Sequence, residues 1–153
     1  MDFFVKKEFR NQTIWISYTL SKTLEHFPYF STNEYIPAMH DQRHELKLAG
    51  LARIKSFHFS ANWVFGSGFP DPEQLPDVID YTDFYSRLDA AAIYSFHVRK
   101  IQLDAGFSVL NILNRENIRY SNYTRIPTDE INSVSLYAEA VPVTPTIFLK
   151  LYY

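Results

Sequence analysis

The residues from Thr144 to Tyr153, TPTIFLKLYY, change character at every step. In an extended strand successive side chains point to opposite faces, so Ile147, Leu149, Leu151 and Tyr153 share one face and Thr146, Phe148, Lys150 and Tyr152 the other. The first face is wholly apolar and runs to the last residue of the sequence. The end of a soluble domain ordinarily frays in water, so an apolar strand in this position is expected to turn that face toward lipid.

Composition bounds the idea without deciding it. The chain has 153 residues, 46% of them hydrophobic, with a formal charge of -2, which fits one ordinary unit. Aromatic residues make up 17% of it, 13 Phe and 11 Tyr against 2 Met, and strands favour aromatic side chains. The mean hydropathy of -0.21 and the lack of a long apolar run exclude a transmembrane helix. A membrane β-barrel alternates its faces and gives no such signal. With near-neutral charge and no basic run, nucleic acid is not an expected partner. The absence of Cys removes disulfides and thiolate chemistry. The segment after Met1, DFFVKKEFRNQ, has no apolar core and no small-residue cleavage site, so a secretory signal peptide is not expected there. Either the protein stays inside the cell or this is the later part of a longer chain.

Period-two patterning recurs along the sequence. Asp2 to Phe9 reads as a strand, followed by a polar turn at Arg10 to Gln12. TIWISYTLSKT puts Ile14, Ile16, Tyr18 and Leu20 on one face, over a length close to the roughly 9–11 residues that a tilted strand needs to cross a bilayer. Alternation dissolves from about Glu25 to Gln42, resumes at Glu45, and breaks at a short turn around Arg53 to Lys55. FHFSANWVF then sends Phe57, Phe59, Ala61, Trp63 and Phe65 outward, with His58, Ser60 and Asn62 inward. After an irregular stretch from Asp71 to Phe84, YSRLDAAAIYSFHV groups its apolar residues opposite Arg87, Asp89, Ser95 and His97. Arg99 and Lys100 make a tight turn. IQLDAGFSV follows, with Phe107 among the outward residues and Asp104 inward, and its phase weakens at Leu110 to Leu113 as at a bulge. Between Asn114 and Val143, YSNYTRI and VSLYAEAV read as a strand-like excursion inside the longest connection.

The expected fold is therefore all-β, an antiparallel meander of about seven strands forming an open, curved part of a transmembrane β-barrel. Connections alternate between short (near residues 11, 54 and 99) and long (near 34, 76 and 128). A meander gathers the short ones at one end and the long ones at the other, as in outer-membrane barrels. The residues expected to face the lumen are His58, Asn62, Arg87, Asp89 and Asp104, with Arg87 and Asp89 forming an ion pair.

The succession YTLSKT, DQRHELKL, FGSGFP, RLDAAAIY, FSVLNILNREN and PVTPTIFLKLYY resembles the carboxyl-terminal part of the barrel of TonB-dependent outer-membrane receptors, over nearly the whole chain. The resemblance implies that residues 1–153 are a C-terminal barrel segment, roughly a third of a barrel of about 22 strands, located in the outer membrane. It implies outer-membrane lipid, the missing plug and remaining strands, and the barrel-assembly machinery as partners, with TonB engaged through a region this sequence does not contain. It also implies that Ile147, Leu149, Leu151 and Tyr153 are the signal read during assembly, Tyr153 as its anchor. Tyr152 and Tyr153 are expected in an aromatic girdle at the membrane boundary. In the full-length protein the function would be energised uptake of a scarce nutrient, a siderophore, glycan or similar. Ligand would meet the aromatic-rich loops Phe27 to Met39, Gly68 to Tyr85 and Asn114 to Val143.

No enzymatic activity, cofactor or metal is expected. His40 and His44 have a helical metal-ligand spacing, but Pro37 and the surrounding composition speak against a helix and no third ligand is evident. There is no GxSxG elbow, and GSG at 66–68 is too short for a phosphate loop. The sequons at Asn11 and Asn122 read as chance matches. The alternative is a soluble lipocalin-like ligand-binding β-barrel, which this length suits and which must cover its outward Phe and Trp residues.

Overall fold

Alternating β-branched and aromatic residues suit a pleated surface wetted differently on its two sides, and the backbone follows that pattern. A computed structural model describes residues 1–26, 35–71, 80–117, 124–127, 133–136 and 141–152. Among the described residues the chain is all-β, without helix, and its main body is one antiparallel sheet of seven strands that does not close into a barrel. The strands are β1 (Asp2–Phe9), β2 (Gln12–Leu20), β3 (His44–Ile54), β4 (Phe57–Gly66), β5 (Tyr85–Val98), β6 (Ile101–Leu110) and β7 (Thr144–Tyr152). They pair in sequence order, so the sheet is a pure meander with β1 and β7 as its edges. The open edges do not give the closed barrel that a lipocalin-like protein requires.

Phe9 opposes Gln12, Ile54 opposes Phe57 and Val98 opposes Ile101. The turns Arg10-Asn11, Lys55-Ser56 and Arg99-Lys100 therefore have two residues each and stand together at one end. Every long connection leaves from the other end. Each carries a short antiparallel ribbon: Leu24–Glu25 with Ile36–Pro37, Pro70–Asp71 with Asp80–Tyr81, and Thr124–Pro127 with Ser133–Leu136. The last of these is the expected excursion.

Three local expectations are corrected. Gln12 opens β2 instead of lying in the turn, because it pairs with both Phe9 and Ala52. The second short turn is Lys55-Ser56, since Arg53 and Ile54 stay paired to His58 and Phe57. In place of a bulge at Leu110 to Leu113, β6 ends at Leu110, and Asn111 adopts a φ of 52°, a left-handed conformation that Asn tolerates better than most residues.

Side chains beyond the ladder pin the long connections to the sheet. Asn117, 1% exposed, accepts from the Ser86 amide at 2.8 Å and donates to the Ser86 carbonyl at 3.0 Å, so one carboxamide replaces a β-partner. Asn111, equally buried, donates to the carbonyls of Arg115 and Val141, while its amide binds Asp89. The loop after β2 is held similarly by Asp41, whose Oδ1 accepts from the Thr23 amide at 2.6 Å. Only Gly fits at position 68, because a Cβ there would collide with the Thr82 backbone, and Gly106 leaves room for the Phe148 ring that lies over it.

Few apolar side chains are buried. Among the described residues the buried hydrophobic ones are Ala38, Ala49 and Phe69. The large apolar side chains lie on the two faces of a single layer.

Candidate functional site

Directly opposed residues of an antiparallel ladder share a face, so the register assigns every strand residue to a side. One row runs Ile16, Leu48, Trp63, Leu88 across β2 to β5, and another runs Phe59, Ala92, Phe107, Ile147 across β4 to β7. Both belong to the same apolar face. Phe59 is 41% exposed, Phe107 48%, Leu149 60% and Ile147 82%. Monomeric soluble proteins rarely leave a contiguous apolar surface of this kind uncovered.

This face has internal order. Near the long-loop end Trp63 packs on Phe65 and Phe65 on Phe84, with ring centroids 6.0 and 5.6 Å apart, and Phe3 stacks on Tyr18. Near the turn end Phe57 packs on Tyr94 at 4.7 Å and Tyr94 on Phe96 at 5.5 Å. Between these two aromatic belts the cross-strand row Gly50, Ala61, Ala90 carries small residues. It floors a depression of about 650 Å³ bordered by Phe59 and Phe107. Two polar pairs on this side are made within the sheet: Trp63 Nε1 donates to Ser86 Oγ at 3.0 Å, and the Tyr18 hydroxyl and His44 Nδ1 share a 2.8 Å hydrogen bond. A polar atom turned to hydrocarbon without a partner would cost several kcal/mol, roughly.

The opposite face carries most of the charge, although Lys7, opposite Ile14, falls on the apolar side. His58, Asn62, Arg87, Asp89 and Asp104 all fall on the charged face, Asn62 directly opposite Asp89. Arg87 Nε meets Asp89 Oδ1 at 2.8 Å, the expected ion pair, and the same oxygen accepts the Asn111 amide. This carboxylate thus links the polar face to the loop after β6. Lys47 pairs with Glu45 at 2.7 Å. Two troughs open on this side: one of about 380 Å³ lined by Gln42, Glu45, Lys47, Asn62, Arg87 and Asp89, and one of about 410 Å³ lined by Arg53, Lys55, His58, His97, Gln102 and Asp104. Mixed charges in open troughs suit water and polar solutes. The face is not uniformly polar, for Ala49, Leu51, Ala91 and Trp15 line a smaller patch at its middle.

Ile147 and Leu149 oppose Phe107 and Ala105, and Leu151 opposes Leu103, so these three lie on the apolar face. Tyr153 lies outside the described residues, as do parts of all three aromatic loops. The girdle expectation for Tyr152 is corrected: it points to the polar face, donates its hydroxyl to Asp104 Oδ2 at 2.9 Å, and has the Lys150 ammonium 4.7 Å from its ring centre. Strand alternation requires this, since Tyr152 follows Leu151. His40 lies in a turn and His44 opens β3, and among the described residues no cluster of three His, Asp or Glu side chains could hold a metal. The loop-pinning Asn111 and Asn117 escaped the sequence reading, although repeated Asn in NILNREN is a turn signal. Comparison of the chain with models of protein families, with curated proteins and with solved structures finds no match.

Proposed function

We propose that this chain forms part of the wall of a β-barrel in an outer membrane, with the apolar face against lipid and the charged face toward a water-filled lumen. The observation that carries the reading is the single-layered sheet whose apolar face, ordered into two aromatic belts, stays exposed. Bacterial outer-membrane barrels have an outward apolar band about 25 Å tall, girdled by aromatic residues at both interfaces. From Leu88 to Val98 the apolar face of β5 extends about 34 Å at roughly 3.4 Å per residue; a strand tilt of about 40° turns that into a height of about 26 Å. Tight turns gathered at one end and long connections at the other fit the same class.

The edges carry a further requirement. Because the number of strands is odd, β1 and β7 run in the same direction, both from the long-loop end to the turn end. Antiparallel closure then needs an odd number of additional strands between them, since backbone groups left unpaired in lipid are costly. Within this class the sequence resemblance favours a TonB-dependent receptor, in which the complete protein binds a scarce nutrient at its loops and admits it through the lumen when a plug is displaced. This wall itself does no covalent chemistry.

The test is fractionation of cells expressing the whole reading frame that holds this chain. The protein should sediment with outer membranes, require detergent for extraction and change its electrophoretic mobility on boiling. A detergent-independent monomer in plain buffer contradicts the reading. For the finer assignment, loss of TonB should abolish nutrient uptake while leaving binding at the cell surface intact.

A further inference from the structure

Sequence alone shows no basic run, yet the meander assembles one. The three two-residue turns bring Arg10, Lys55, Arg99 and Lys100 to one rim, all exposed and none in an ion pair among the described residues. The turns contain no acid, and the nearest one along β1, Glu8, is already paired with Lys6. Lys55 and Arg99 stand at the same place in their hairpins with φ of 54° and 57°. That left-handed conformation favours Gly, Asn or Asp over a long side chain. Two equivalent turns thus keep a cation where a neutral turn residue would be less strained. Immediately inward on the apolar face stand exposed Phe9, Ile54, Phe57, Val98 and Ile101.

We infer that this rim binds the anionic headgroups of the bilayer leaflet at the turn end, its cations lying on lipid phosphates while the neighbouring apolar side chains enter the acyl region. The inference rests on the membrane-wall reading and adds a lipid class to it. Apolar flanks directly beneath the cations select a lipid surface over other polyanions, because apolar area and attraction to anionic lipid act together only there. A cation near an anionic surface strengthens binding about fivefold, and salt screens the effect.

The test compares the protein encoded by the whole reading frame that holds this chain with a variant carrying Arg10→Gln, Lys55→Asn, Arg99→Asn and Lys100→Gln, in which Asn keeps the left-handed turns accessible. Binding is measured by co-sedimentation at low salt with phosphatidylcholine vesicles and with vesicles that also contain phosphatidylglycerol. The original protein should prefer the anionic vesicles by ~50-fold or more, and the variant by no more than about threefold, with unchanged binding to neutral vesicles. Equal binding of the original protein to both vesicle types, or an undiminished preference in the variant, overturns the rim inference alone. Failure of the complete original protein to become protease-protected in neutral vesicles overturns the wall reading instead, whatever the preference.

Discussion

Asn117 shows how much a single side chain can hold. Its carboxamide satisfies both backbone groups of the buried Ser86 and also donates to the Arg115 carbonyl at 3.2 Å. Ser86 in turn receives the Trp63 indole, so this amide, the segment after β6 and an aromatic belt are tied together. Asn117→Ala leaves a buried donor and acceptor at Ser86 unpaired and should cost about 2 kcal/mol of local protection, read as roughly 30-fold faster hydrogen exchange at the Ser86 amide in micelles. Asn117→Asp can still accept from that amide but cannot donate to the carbonyl, so its exchange should fall between the two. Equal exchange in all three proteins would show that the amide does not pin the loop. Such a bond is not legible in sequence, because Asn117 and Ser86 are 31 positions apart and no periodicity links them. The Arg87–Asp89 pair was legible, being local on one strand face.

At the scale of a strand, period-two patterning determines nearly everything seen. The bounds of β1 and β5 follow from alternation alone, and the register preserves one phase from β1 to β7 because a slip of one residue would turn every apolar side chain to the wrong face. The pattern misleads where its signal is weakest: at Arg53, whose charge resembles a turn but belongs to the polar face, and at Asn111, a left-handed residue that follows the end of β6. Tyr152 shows that an aromatic near a strand end is placed by phase before chemistry. Small residues midway between the belts give a sharp contrast for test. Ala61→Arg puts a charge at mid-depth on the apolar face and should destabilise the protein by about 2–4 kcal/mol in lipid. Ser60→Arg, one residue earlier and on the polar face, should cost little. Urea titration in vesicles measures both, and equal costs would mean the faces do not meet different solvents.

The whole molecule is a layer with two different surfaces and two open edges. Strand number, order and the sorting of connections are legible in the sequence, since each depends on local pattern and chain length. The basic rim was not, because it exists only once three turns far apart in sequence are aligned, and net charge conceals it. Everything depends on what solvent meets the apolar face, and a chain with no native Cys offers a clean way to ask. The most direct measurement places a single spin-labelled Cys at each position from Phe57 to Phe65 of the protein in bilayers, and records accessibility to lipid-soluble oxygen and to a water-soluble relaxant. Oxygen accessibility should peak at residues 57, 59, 61, 63 and 65, with the aqueous reagent favouring 58, 60, 62 and 64. Accessibility to oxygen without that period-two alternation, or exposure of both sets to water, would contradict the account.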